Sequence, residues 1–318
     1  MNSSHSTKQN KSNSQPSLQA GKYIIVAAAI LTVVSAVALV LAYYLSISSP
    51  QISANKPEVV QTNKGKVEID LAKIIPPQGV ELPIVWGDLG RQLVEKGVID
   101  YEKISALYQR RGGLSAEEEK LLLSDNTGKL TITPQNASFI LNLAWALGLA
   151  NKNPILTEGP MVDKRYGGAD KFASTGGWIL ADGNVMDHYS KYELVKLTEE
   201  QQALVERVAK NIYRPCCGNS TYFSDCNHGM AMLGLLQLMA AQGVSENEMY
   251  KYALSINSYW FPSTYATIAK FFKQQGIEWK DVNPRQVLSV DYSSAMGYSQ
   301  VVKKVAPVNV DTGGSCSV

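Results

Sequence analysis

The chain has few of the residues that do most metal and nucleophilic chemistry: three histidines and four cysteines among 318 residues. Charge is sparse as well, at 18% of residues with a net of +2. A nucleic-acid footprint needs a basic face, and no RNP, zinc-finger or helix-turn-helix spelling is present, so nucleic acid is excluded as a partner. The lack of G-x-S-x-G removes the nucleophile-elbow hydrolases. The lack of G-x-G-x-x-G and of G-x-x-x-x-G-K removes the common phosphate loops. "SDNTGKLTIT" at 124–133 has oxygen ligands near a glycine, but a calcium loop needs a glutamate six residues on, where Pro134 stands. A turn at Asn126, Thr127 and Gly128 leading into a short strand is the better account.

One further absence is local. The run "YIIVAAAILTVVSAVALVLAYYL" at 23–45 has no charge and no proline. As a helix it would cover a hydrocarbon core of roughly 30 Å. Its length and the lack of an A-x-A site favour an uncleaved anchor over a signal peptide. Lys8, Lys11 and Lys22 precede it, which puts the N-terminus in the cytoplasm. The expected organisation is a disordered cytoplasmic tail at 1–22, a transmembrane anchor at 23–47 in the lipid bilayer and a polar linker at 48–64. A helical subdomain at 65–156, a cysteine-containing helical domain at 157–306 and a flexible tail at 307–318 follow. The fold class is mainly α with small β elements: a single transmembrane helix, then an extracytoplasmic helical domain with a three-helix-bundle-like core around the cysteines.

What is present is helical punctuation. Leu89, Leu93 and Val94 share a helical face within 86–95. Asp100 caps a helix running to about Arg110. Ser115, Thr198 and Ser245 each stand three residues before a Glu or Gln, the spelling of a capping box. Thr133 before Pro134 opens a helix that Gly148 ends. The 199 helix is expected to run to about Tyr213, and Asp225 to cap the next. Residues 157–192 are loop-like, with a short strand at 178–181.

Three cysteines and a histidine lie in "RPCCGNSTYFSDCNHG", residues 214–229. Cys216 and Cys217 follow a helix that Pro215 breaks; Cys226 and His228 begin the next. A helix start lowers a thiol's pKa, and Arg214 adds positive charge nearby. Three chemistries remain open. Zinc accepts a set made of Cys216, Cys217, Cys226 and His228, and copper(I) accepts the thiolates, with Met230 or Met232 as further soft donors or, on their helical spacing, as core. A disulfide from Cys226 to Cys216 or Cys217 would staple a non-enzymatic scaffold. Cys216, Cys217 and Cys226 could also act catalytically in thiol–disulfide exchange with a thiol-containing protein. Cys316, on a Gly-Gly tail, reads as incidental. His188, beside Asp187, is either a general base or a hydrogen-bonded bystander.

The run from about 199 to 260 resembles the thiol-reductant domain of cytochrome c maturation, the CcmH-like proteins. It carries "ERVAKNIYRPCCGNSTYFSDCNHG", the helix "MAMLGLLQLMAAQG", then "GVSENEMYKYALSINSYW". The resemblance implies a small three-helix bundle and disulfide exchange with an apocytochrome. Cys216 or Cys217 would stand where that family has its reactive Cys-x-x-Cys pair.

Overall fold

The computed structural model describes residues 67–310. The expected tail at 1–22, anchor at 23–47 and linker at 48–64 lie outside the described residues, as does Cys316.

The element order is α1 (Leu71–Ile74), β1 (Val80–Gly87), α2 (Leu89–Glu95), α3 (Tyr101–Gln109), α4 (Ala116–Leu123), β2 (Asn126–Ile132), α5 (Ala137–Ala150) and α6 (Pro154–Thr157). After a long segment of loops and short 3-10 turns come α7 (Glu199–Ala209), α8 (Asn227–Ala241), α9 (Glu246–Trp260), α10 (Pro262–Gln274), α11 (Pro284–Val287), α12 (Val290–Ser293) and α13 (Ala295–Val302). The caps expected at Asp100, Ser115, Thr198 and Ser245 are in place, the last three as reciprocal capping boxes. Their positions depend only on residues three apart, so local sequence suffices to set them.

Tertiary packing redrew other boundaries. Trp86 is not helical but belongs to β1, where Leu82, Ile84 and Trp86 alternate inward. β1 pairs antiparallel with β2, Val80 opposite Ile132 and Gly87 opposite Asn126. The expected turn at 126–128 is therefore strand. The amide of Gln242 closes the free edge of β1 by bonding both N–H and C=O of Val85, each at 2.8 Å. No strand forms at 178–181; the Trp178 indole donates instead to the Val98 carbonyl at 2.8 Å. Helix α5 runs from Ala137, and Thr133 caps the turn leading into it: its Oγ1 accepts from Asn136 N–H and its carbonyl from Ala137 N–H. Helix α7 stops at Ala209, short of Tyr213.

The centre of the molecule is the α5–α8 pair. Both helices are apolar around nearly their whole circumference, the pattern of elements buried on all sides. Gly148 does not end α5. It lies inside the helix, where a Cβ would overlap the Met230 carbonyl, and a Cβ on Gly234 would sit 2.5 Å from that of Ala144. The two backbones touch there, and no side chain fits between them.

These observations correct the expected fold class. Helix α8 packs on α7 and α9, but its principal partner is α5, from the other side of the expected boundary at 156/157. One hydrophobic cluster runs from Ile74 to Val305, so the cysteines do not have a separate three-helix bundle of their own. No helix among the described residues is long and apolar enough to cross a membrane. The two most apolar, α5 and α8, have 14 and 15 residues. That makes them about 21–23 Å long, against roughly 30 Å of hydrocarbon. The single-pass, N-in placement with an extracytoplasmic domain is corrected to this extent: no described helix supplies the span, and the 23–47 segment lies outside the described residues. The start of the expected flexible tail is also ordered: Val308 N–H donates to Thr267 Oγ1 at 2.9 Å and Val310 N–H to Ser263 Oγ at 3.0 Å.

Candidate functional site

The 210–226 loop joins α7 to α8 and is anchored at several points. Thr221 N–H bonds the Ile212 carbonyl, Tyr213 N–H that of Leu288, and Ala295 N–H that of Cys217. The first half of the loop is thereby fixed to the C-terminal helices, and its end leads straight into α8.

Arg214 is the hub. Its side chain is 1% exposed, and every nitrogen of the guanidinium is engaged. Nε donates to Cys226 Sγ at 2.9 Å, Nη1 to the Asn219 carbonyl at 3.0 Å, and Nη2 to the Phe223 carbonyl at 3.0 Å and to Asp225 Oδ1 at 2.5 Å. Asn219 Nδ2 donates to the other Asp225 oxygen at 2.7 Å. Asp225 thus does not cap α8 as expected. Cys226 occupies the N-cap position, and the carboxylate turns to the buried cation, because an unpaired buried charge costs more than a missing cap. Gly229 makes the arrangement fit, since a Cβ there would lie 2.5 Å from Arg214 Cζ.

Around this hub the three thiols are free. Cys216, exposed, places Sγ 3.4 Å from Cys226 Sγ, against about 2.05 Å for a disulfide bond. Cys217, half-buried, directs its thiol to the Asn219 carbonyl at 3.9 Å and to Asp225 Oδ1 at 3.7 Å. His228 is 2% exposed. Its ring lies 4.3 Å from that of Phe261 and 5.7 Å from that of Trp260. The sulfurs of Cys216 and Cys226 and a ring nitrogen of His228 lie within 4.8 Å of one another, as do Cys217, Asp225 and Cys226. The four residues singled out in the sequence therefore do converge, as a cluster of soft and borderline donors.

The electrostatics are uneven. Hydrogen bonds from Cys216 and Cys217 hold the Cys226 thiol well below its ordinary range; burial opposes this, and the Arg214 charge and His228 reinforce it. Cys216 is pushed up by its hydrogen bonds with Cys217 and Cys226. Cys217 is pushed up to about 11: its hydrogen bond with Cys216 lowers it, but the bond with Cys226 and burial outweigh that. Burial works against the charge of Arg214, yet the neighbouring sulfurs and Asp225 keep the guanidinium protonated.

These directions predict a pH signature. Below the unfolded thiol value of about 8.5, folding releases the Cys226 proton that the unfolded chain retains, so stability rises with pH and is lost as pH falls through the folded value. Above about 8.5 the unfolded chain loses protons that folded Cys216 and Cys217 keep, so stability falls. Urea melts across roughly pH 6–10 should show a maximum near 8.5 that is lost when all three cysteines are serine. A profile parallel to that of the triple variant would refute the assignment.

Other expected donors lie elsewhere. Met230 and Met232 are fully buried core residues, which leaves them no role as exposed soft ligands. His188 bonds through both ring nitrogens, to Tyr192 Oη at 3.0 Å and the Asp182 carbonyl at 2.8 Å. It is the hydrogen-bonded bystander of the two readings, bracing its loop. Sequence reasoning missed Asp225 and Asn219 as partners of Arg214. The one signal for the hub was Gly229, an unfavourable residue inside a helix that marks a close approach. Neither a protein family, nor a curated protein, nor a solved structure matches this chain.

Proposed function

We propose that the Cys216–Cys226 pair carries out thiol–disulfide exchange with a thiol-containing partner protein. The observation that carries this reading is the 3.4 Å sulfur–sulfur contact in which Cys226 also accepts the Arg214 Nε–H. Cys216 is the exposed sulfur that a partner disulfide reaches first. As Cys216 attacks one partner sulfur, its proton passes to the Cys226 thiolate. After Cys226 gives that proton up to the departing partner sulfur, it attacks Cys216 Sγ and expels the second. One thiol and one thiolate here are oxidised to one disulfide, and the partner disulfide is reduced to one thiol and one thiolate, which solvent protonates. Stabilising the reduced Cys226 thiolate weakens the Cys216–Cys226 disulfide once formed, so the pair exchanges reversibly and does not lock as a structural link. The resemblance of 199–260 to the CcmH-like reductant domain supports the same chemistry.

The test is exchange with oxidised glutathione, read by intact mass and thiol counting. The wild type should pass through a mixed disulfide to an intramolecular Cys216–Cys226 bond. C216S and C226S should stop at or before the mixed disulfide, and C217S should complete the reaction. Thiols that stay unreactive in folded protein, or a fixed disulfide that glutathione does not reduce, would overturn the proposal in favour of a non-enzymatic scaffold with a structural staple.

A second reading has its own observation, the convergence of Cys216, Cys226 and His228 within 4.8 Å. Two thiolates and an imidazole fit zinc or, with softer preference, copper(I). Zinc or copper at near-unit stoichiometry in protein prepared without chelator would establish it; no metal would remove it.

A further inference from the structure

An aromatic cluster is built onto the cysteine loop. Three residues before Cys226, the ring of Phe223 packs against two rings from the long loop segment that precedes α7. Its centroid is 5.3 Å from that of Phe172 and 5.3 Å from that of Tyr166, and those two are 5.4 Å apart. Backbone bonds tie the cluster to the exchange pair at two points. The Phe223 carbonyl accepts from Arg214 Nη2, whose Nε–H goes to Cys226 Sγ. Ser174 N–H, two residues past Phe172, donates to the Asp225 carbonyl at 3.2 Å. Gly167 and Gly168, with φ of +79° and +128°, reverse the chain between the two loop rings, a path open to glycine without strain.

The cluster faces solvent. Tyr166 is 42% exposed, and Phe172 and Phe223 are half-buried. Single apolar side chains are ordinary on a surface, whereas contiguous ones mark sites of contact. The cation preceding each loop ring is already paired, Arg165 with Asp163 and Lys171 with Asp170, so neither stands free to hold an acidic partner. We infer that Tyr166, Phe172 and Phe223 form the docking surface for the partner's cysteine-bearing segment, an extended stretch that carries an aromatic side chain near its cysteine. A fourth ring can meet three tilted ones edge to face, the arrangement that aromatic quadrupoles favour. The Cα atoms of Phe223 and Cys226 are at most about 11 Å apart, a span that an extended partner crosses in about three residues. That sets the spacing between the partner's ring and its cysteine. The inference rests on the exchange reading for the partner's cysteine, while the ring contact itself needs no sulfur chemistry.

The test uses the reduced full chain and two peptides that differ at one position, phenylalanine or serine three residues from a single cysteine. Each is offered as its mixed disulfide with glutathione, and exchange is followed by intact mass. The phenylalanine peptide should react about tenfold faster than the serine peptide, the worth of one good ring contact. Y166A should abolish that preference and Y166F should keep it. Both variants should retain the wild-type melting temperature and the wild-type rate with oxidised glutathione, which carries no ring. Fluorescence anisotropy of the same peptides, labelled and with serine in place of cysteine, reads the contact without exchange. Equal rates for the two peptides in the wild type, or a preference that Y166A retains, would overturn the docking surface and leave exchange standing. Ring-dependent binding that Y166A loses, in a protein that does not exchange with glutathione, would leave the surface standing and remove the exchange reading.

Discussion

Replacing Arg214 with alanine is expected to cost about 3 kcal/mol or more of folding stability, the range seen when one member of a buried ion pair is deleted. The guanidinium holds Cys226, Asn219, Phe223 and Asp225 at once. Its loss takes a charged donor from the Phe223 and Asn219 carbonyls, which keep the Asp225 N–H and the Cys217 thiol, at about 1.5–3 kcal/mol for each charge-assisted bond. Asp225 keeps 20% exposure and its bond from Asn219, so part of the carboxylate's loss is recovered by solvent. That places the total near the lower end of the sum of these costs. The same change should raise the Cys226 pKa, but only part of the way, because the hydrogen bonds from Cys216 and Cys217 come first among its causes. Urea melts read the stability, and the pH dependence of iodoacetamide alkylation reads the thiol. R214K keeps the charge but cannot reproduce the planar fork, so it should fall between the two. An R214A protein as stable as the wild type would show that Arg214 does not hold the loop together.

Alanine at Gly234 or Gly148 should be comparably damaging, for a reason unrelated to chemistry. Propensity alone favours the change by up to about 1 kcal/mol, since both sit inside helices. Packing decides the sign. The new methyl would meet the Ala144 carbonyl at 2.5 Å from Gly234, and would overlap the Met230 carbonyl from Gly148. These are backbone atoms and cannot rotate away, so the helices must separate. The expected net loss is about 3 kcal/mol, the upper end for overpacked cores. Met230 is two residues beyond His228, so G148A displaces the first turn of α8 and should also alter the rate of Cys226 alkylation. Gly218, in the cysteine loop itself, faces open space, with nothing within 4 Å of where an alanine methyl would stand. G218A is the control and should stay within about 0.5 kcal/mol of wild type. Equal stabilities for G234A and G218A would refute the close-crossing account.

Both substitutions bear on how far the site could be read from the chain alone. The convergence of Cys216, Cys217, Cys226 and His228 was legible because they lie within thirteen residues, and a proline break followed by a helix start brings such a segment back on itself. The division of labour among them was not. Cys216 faces Cys226 while its neighbour Cys217 faces Asp225, because the Arg214 fork sets where each acceptor must stand. Nothing in the spelling "RPCC" says that its arginine is buried.

Local rules determined the capping boxes at Ser115, Thr198 and Ser245 and the stop at Gly243, whose φ of +78° only glycine adopts without strain. Each depends on interactions across a few residues, so the order of the polypeptide suffices. Tertiary structure alone decided that Trp86 lies in a strand, that Gly148 is a helix contact instead of a stop, and that Asp225 pairs with Arg214 instead of capping α8. In each case the deciding partner is distant in the chain or buried by elements that are. Burial raises the cost of a clash or an unpaired charge above the local preference, and the local preference gives way.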